Sequence, residues 1–203
     1  MLNAVALPEA AMQVAPWVIR GILLLLLTSI CLSDFRARRI PNRLVLAGLL
    51  AALSWQALGP AGAGLFDPDA PGALGASAAF AGAAAAFAGF LLLHRMGTMG
   101  AGDVKLMAML GAFFGLDALP ALVLMVFLSG GVLVAVRMFD GARRRAVGAN
   151  LRLILFGRLA AFVGGVGPQF DPRTDSADRL PFALAIAGGA LLLAALQLTG
   201  VLA

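Results

Sequence analysis

The chain has 203 residues, of which 62% are hydrophobic and only 12% are charged, with a net charge of +5. Soluble domains carry about 25% charged residues, so a soluble fold of this size would lack the charged side chains that cover a surface. No basic stretch is interleaved with aromatic residues, which argues against nucleic acid as a partner. The composition instead predicts an all-α polytopic membrane protein, with one integral membrane domain over residues 1–203.

The first three apolar runs predict membrane helices. Trp17 and Arg20 stand near the start of the first, where an interfacial aromatic ring and a snorkelling cation belong. The segment before it carries Glu9 and no Lys or Arg, so it does not match a secretory signal. A short polar loop follows the first helix, and a turn rich in Gly and Pro follows the second. The predicted helices are residues 15–33, 44–58 and 73–93.

The next apolar run, residues 104–139, is too long for one crossing. As a single helix it would extend about 54 Å, nearly twice the hydrocarbon thickness. Asp117 and Pro120 lie near its middle, and Pro removes a helix hydrogen bond while Asp resists burial in lipid. The run therefore predicts two helices, at residues 104–116 and 118–139. The first of these is short, which indicates that it lies inside the bundle or begins below the membrane surface.

A hydrophilic stretch, residues 140–179, separates the fifth helix from the last, predicted at residues 180–201. Residues 148–163 mix Arg with apolar residues, a pattern that fits an interfacial amphipathic helix or an irregular loop. With six helices, 14 of the 15 basic residues fall on one side of the membrane and only Arg20 lies near the other. The positive-inside rule then predicts that both termini are outside, that is periplasmic, and that residues 140–179 are cytoplasmic.

Two acidic residues lie at the predicted cytoplasmic edge. Asp34 ends the first helix and Asp103 begins the fourth. Taken singly, each could be a helix-terminal residue or a salt-bridge partner. As a pair, two carboxyl groups can take different roles, because two of them a few Å apart do not both ionise easily. One carboxyl group then keeps its proton as a general acid while the other acts as base on a water.

The sequence lacks the residue patterns that a metal-dependent or serine hydrolase would need. The single histidine, His94, has no second His and no Cys cluster beside it, and no Gly-x-Ser-x-Gly elbow is present. His94 is therefore expected to be an interfacial residue. The single cysteine, Cys31, lies in an apolar run and is expected to pack as a small hydrophobe. The sequence predicts no metal site and no cofactor.

The residues around the two acids carry a family resemblance. Gly100, Ala101, Gly102 and Asp103 form a GxGD tetrapeptide, whose glycines permit tight backbone conformations and close approach of a substrate. The longer segment GAGDVKLMAMLGAFFG resembles the GxGD segment of type IV prepilin peptidases. SDFRARRIPNRL, residues 33–44, resembles the first-aspartate segment of that family, and RLPFALAIAGG, residues 179–189, is similar to the start of its last helix.

The resemblance implies an aspartic endopeptidase of the inner, cytoplasmic membrane that removes the leader peptide from prepilins or pseudopilins on the cytoplasmic face. Asp34 and Asp103 match the two catalytic aspartates of the family, and which of them is base or acid stays open. The chain is similar to the short, peptidase-only form of Flp and tight-adherence pilus systems. No cysteine-rich segment separates the first two predicted helices. Methyltransferase activity is therefore not expected.

Neighbouring residues have supporting roles in this interpretation. Pro41 and Asn42 are expected to shape the turn into the second helix, either as ordinary loop residues or as residues that also help to place Asp34. Lys105 orients a carboxylate, contacts the substrate or snorkels to the interface.

Two other functions remain open for the sequence. A related GxGD membrane peptidase would cut another substrate, such as a preflagellin. In a non-catalytic transporter subunit, the two acids would line a cation or proton path. The transporter is disfavoured because both acids lie at one face of the predicted bundle.

Overall fold

A computed structural model of the chain describes residues 9–137, 139 and 182–202. Within these residues the regular structure is all-α apart from two isolated bridges, which confirms the predicted fold class for this part of the chain. The helices in the described residues are α1 (Glu9–Ala37), α2 (Asn42–Leu58), α3 (Ala76–Arg95), α4 (Ala101–Phe114), α5 (Leu119–Arg137) and α6 (Phe182–Leu198).

Helix α1 is longer than the sequence pattern indicated, because it continues through Ala37 where a polar loop was expected. The amide of Arg38 still donates to the carbonyl of Asp34, at 2.8 Å. The helix ends at Ala37, and the next residue, Arg38, has a left-handed φ of 50°. Two residues later Ile40 precedes Pro41, a position that disfavours helical backbone. Asp34 therefore lies in the last turn of α1 rather than after it.

Helix α4 is also displaced from its predicted position. It begins at Ala101 and ends at Phe114, so Asp103 is in its first turn rather than before it. Gly115 follows with a φ of 79°, a conformation that stops the helix. Pro120 is the second residue of α5, where a helix tolerates Pro because that amide needs no helical acceptor. The glycine, rather than the proline, thus ends α4.

Among the described residues, three helical segments are long and apolar enough to cross a membrane: Val14–Ala37, Ala76–Arg95 and Leu119–Arg137. Helices α2 and α6 are apolar but shorter. The described residues therefore contain candidate membrane spans, while the six crossings and the periplasmic termini stay predictions.

Helix α4 lies at the centre of the hydrophobic core, which is one of the two alternatives that its short length left open. Leu106, Met107, Met109 and Leu110 are fully buried. Helix α3 packs closely on α4 where Gly82 meets Gly111. A methyl group added at Gly82 would lie 2.7 Å from the carbonyl carbon of Gly115, so only glycine fits there. This close packing fixes the helix that carries Asp103.

A buried amide joins three segments at the other end of α4. Gln56 of α2 is 2% exposed. Its side-chain nitrogen donates to the carbonyl of Phe113 at 3.1 Å, and its side-chain oxygen accepts the amide of Leu74 at 2.7 Å. Gln56 thereby satisfies one of the terminal carbonyls that α4 leaves without a helical partner.

The chain divides into two compact units, residues 1–129 with 181–203, and residues 130–180. The first unit contains α1 to α4, the first part of α5 and α6, together with the core described above. Of the second unit the structure describes the end of α5, from Gly130 to Arg137, and Phe139. The predicted cytoplasmic stretch 140–179, with its amphipathic segment, lies outside the described residues. The single domain over residues 1–203 stays a prediction.

Candidate active site

Asp34 lies where the end of α1 meets the start of α6. Its Oδ2 atom accepts a hydrogen bond from the backbone amide of Ala183, with a donor–acceptor distance of 3.3 Å. One turn earlier on α1, the Cys31 thiol donates to the carbonyl of Ala183 at 3.6 Å. Residues three apart share a helix face, so one face of α1 meets one residue of α6 through both contacts.

Asp103 is the third residue of α4. Its Oδ2 atom accepts the amide of Gly100, the residue that caps the helix, at 3.3 Å. An acid at this position satisfies an amide that the helix leaves without a partner, and it also complements the positive end of the helix dipole. The side chain is half-buried. The local sequence thus fixes Asp103 against the start of its own helix.

The charge of Asp34 acts on the carboxyl group of Asp103. The pKa of Asp103 is raised to about 6, mainly by burial, while the hydrogen bond from Gly100 opposes the rise and the charge of Asp34 adds to it. Burial and a nearby like charge both disfavour the ionised form of a carboxyl group. The structure therefore brings together the two acids that the sequence placed at one membrane edge.

The segments that carry the two acids also contact each other directly. Gly102 faces Ile40, and a methyl group added at Gly102 would lie 3.1 Å from the Cβ of Ile40. Pro41 caps α2 with an extended backbone, and its carbonyl accepts the amide of Leu44 at 3.1 Å. Gly102, Ile40 and Pro41 thus bring the start of α4 against the entry to α2.

Lys105 and Asn42 join the same two helices through their side chains. The Lys105 Nζ atom donates to the Asn42 Oδ1 atom at 3.1 Å. Both side chains are exposed. The sequence suggested a carboxylate, the substrate or the interface as the partner of Lys105, and the contact with the Asn42 side-chain amide was not predicted.

The turn before Asp103 is held by hydrogen bonds that the sequence did not reveal. The Nδ1 atom of His94 is bonded to the carbonyl of Met99 at 2.8 Å. The Thr98 hydroxyl donates to the carbonyl of Leu93 at 2.8 Å, and Gly97 has a φ of 76°. His94, expected to be an interfacial residue, therefore also fixes the turn that leads to Gly100.

The start of α6 contacts Asp34 through a backbone group that the sequence did not indicate. A backbone amide has no signature in a sequence, so Ala183 could not be selected by residue type. Its position in the chain did give an indication, because the segment RLPFALAIAGG resembles the start of the last helix of prepilin peptidases. The structure brings the start of that helix to Asp34.

This arrangement provides two interacting carboxyl groups at the ends of two helices. Where the structure describes the chain, no three or more His, Cys, Asp or Glu side chains come together as metal ligands would. A carboxyl group that titrates near neutral pH can donate a proton, and a carboxylate beside it can accept one from water. The site is therefore suited to acid–base hydrolysis.

Comparison with known proteins identifies the family. The model of the type IV leader peptidase family matches residues 21–135, which include Asp34 and Asp103. A relative from Xanthomonas campestris pv. campestris, a prepilin leader peptidase/N-methyltransferase, is 32% identical over 133 residues. That match covers 66% of this chain and 43% of the relative. No solved structure matches the chain. Because the family model covers more than half of the sequence, the chain belongs to the type IV leader peptidase family.

Proposed function

We propose that this member of the type IV leader peptidase family is an aspartic endopeptidase that cleaves the leader peptide from prepilins or pseudopilins, with Flp-like prepilins as its substrates. The observation that carries the proposal is the pairing of Asp34 with Asp103, whose pKa of about 6 is raised by burial and by Asp34. The name of the Xanthomonas relative supports the substrate class. The proposal is limited to hydrolysis and needs no cofactor.

In this mechanism one ionised aspartate takes a proton from water while the water oxygen attacks the scissile carbonyl carbon. The other aspartate gives its proton to the carbonyl oxygen, which produces a neutral tetrahedral intermediate. The intermediate collapses as its C–N bond breaks and a proton is delivered to the leaving amine. Asp34 and Asp103 end the cycle with one shared proton, as they began it, so no covalent intermediate is needed.

The residues between the two acids are proposed to shape the site. Gly102 permits close contact with Ile40, and Gly100 supplies the amide that holds Asp103. Pro41 fixes the entry to α2, from which Asn42 reaches Lys105. These contacts set the position of α4 against the segment that follows Asp34.

The proposed location is the inner, cytoplasmic membrane, with the active site facing the cytoplasm. Arg36, Arg38, Arg39 and Arg43 are all exposed close to Asp34 in the chain. Basic residues flanking membrane helices favour the cytoplasmic side and anionic lipid. A leader peptide in the cytoplasm would then meet the pair of acids at the membrane edge.

Cleavage of a purified Flp-type prepilin by the purified full chain tests the proposal. We expect the wild-type protein to release the leader, with the product identified by mass spectrometry. Asp34→Asn and Asp103→Asn should each abolish release while the protein stays folded. Asp69→Asn is the control, because Asp69 is an exposed acid in the loop between α2 and α3.

Two outcomes would contradict the proposal. Normal processing by either Asp34→Asn or Asp103→Asn would refute the role of the acid pair. Cleavage of a preflagellin but no prepilin would keep the peptidase and replace its substrate.

A further inference from the structure

The amino terminus of α6 offsets an unfavourable electrostatic position of Asp34. Asp34 lies in the last turn of α1, where the negative end of the helix dipole disfavours a carboxylate. The Ala183 amide belongs to the first turn of α6, where amides lack helical acceptors and the dipole is positive. This amide donates to the Asp34 Oδ2 atom at 3.3 Å. Helix α6 therefore supplies a hydrogen-bond donor and the positive end of a helix dipole, which the end of α1 does not offer to Asp34.

The position of that amide is fixed by packing. Ala183 is fully buried, and so is Ile186 one turn further along α6. The carbonyl of Ala183 accepts the Cys31 thiol at 3.6 Å, so the same residue contacts α1 at two points. A rigid backbone donor therefore holds one oxygen of the Asp34 carboxylate.

The two acids are held differently. Asp103 accepts an amide from the cap of its own helix and is pushed toward its neutral form by burial. Asp34 accepts an amide from a separate helix, far away in the sequence, whose positive end faces its charge. A pair of carboxyl groups in unlike environments divides into a base and an acid.

We propose that the start of α6 is a positioning element of the acid pair. The Ala183 amide orients the Asp34 carboxylate and stabilises its negative charge, which makes Asp34 the base that activates water and Asp103 the proton donor. This inference rests on the proposed peptidase function and assigns the roles within it. During attack, the water proton passes to Asp34 and the Asp103 proton passes to the carbonyl oxygen of the substrate.

The test exchanges single backbone amides for esters in the otherwise unchanged full chain. Incorporation of L-lactic acid in place of Ala183 keeps the methyl group and removes the donor. The control places L-leucic acid at Leu184, the next residue of α6, whose side chain is exposed. This ester keeps the Ala183 amide but weakens the Ala183 carbonyl as an acceptor for Cys31, so it separates the effect of the amide from that of the carbonyl. Cleavage kinetics on a Flp-type prepilin and thermal unfolding in detergent are measured for both variants and for the wild type.

We expect the ester at Ala183 to lower kcat about tenfold, the effect of losing one hydrogen bond to a charged group, with KM changed less than about twofold. The ester at Leu184 should keep kcat near the wild-type value, and the two esters should unfold at similar temperatures. A purely structural role would instead lower the unfolding temperature of the Ala183 ester and leave its kcat per folded molecule intact.

Three results would overturn the inference. They are an unchanged kcat for the Ala183 ester, an equal loss of kcat for the Leu184 ester, or a loss explained by unfolding. If the wild-type protein failed to cleave any prepilin, the proposed function itself would fall and this inference with it. Wild-type cleavage is therefore scored first, so that the two failures are distinguished.

Discussion

The contact between α3 and α4 provides a sharp test of the packing that places Asp103. Gly82→Ala adds one methyl group at the point where α3 touches the backbone of α4. That methyl group would lie 2.7 Å from the carbonyl carbon of Gly115, whereas ordinary contacts begin at 3.4 Å. The two helices would have to separate by at least about 0.7 Å, the difference between these distances, because the carbonyl oxygen of Gly111 lies closer still. The neighbouring atoms belong to the backbone, so they cannot rotate aside.

The structure sets the size of the expected effect. Adding a methyl group to a packed core costs about 1–3 kcal/mol, and a backbone neighbour places this substitution near the upper value. Gly89→Ala is the matched control on the same helix, because a methyl group at Gly89 meets no atom within 4 Å. The free energy of unfolding of that control should rise by about 0.5 kcal/mol, because alanine has less backbone freedom to lose on folding than glycine. The two variants should therefore differ by about 3.5 kcal/mol.

Reversible unfolding in mixed detergent micelles, followed by tryptophan fluorescence, measures both free energies. We expect Gly82→Ala to lose about 3 kcal/mol of unfolding free energy relative to the wild type and Gly89→Ala to lose none. Equal stability of Gly82→Ala and Gly89→Ala would refute the close contact between α3 and α4.

Three further predictions concern stability, coupling and pH. Gln56→Leu should lower the free energy of unfolding by about 2 kcal/mol, since it leaves buried backbone groups without partners, whereas exposed Ser54→Ala should change it by less than about 0.5 kcal/mol. In a double-mutant cycle on kcat/KM, Asn42→Ala and Lys105→Met should couple by about twofold to fivefold, and additive effects would exclude a functional hydrogen bond. The unfolding free energy of the wild type should fall as the pH rises from about 4 to about 6, because the folded protein holds the Asp103 proton to a higher pH than the unfolded chain does. Asp103→Asn should remove that part of the slope, and an unchanged slope would contradict the raised pKa.

The apolar runs predicted much of this structure because helix-length runs of apolar residues are what a membrane span requires, whereas the orientation inferred from the charges stays a prediction. Long apolar segments became helices, and the Asp117 region separated α4 from α5 as expected. The end of α1 was not predicted, since the polar residues after Ser33 resemble a loop. A helix that leaves the hydrocarbon can continue with polar side chains, so polarity alone does not mark its end.

The sequence predicted the parts of the site that are formed by distinctive side chains. Asp34 and Asp103 could be paired because the order of helices placed both at one edge. The partners of these acids could not be predicted, because the Ala183 and Gly100 amides are backbone groups. The contact of Lys105 with its partner on α2 depends on how two helices pack, which residue spacing does not specify.

The claim that Asp34 and Asp103 act as one unit is tested most directly by comparing single and double variants. Single-turnover rates of prepilin cleavage would be measured for Asp34→Asn, Asp103→Asn and the variant that carries both substitutions. Residues that act together lose nearly all activity when either is changed. We therefore predict that both single variants fall to the same residual rate as the double variant. A measurable rate in either single variant, reduced further in the double variant, would contradict a shared catalytic role.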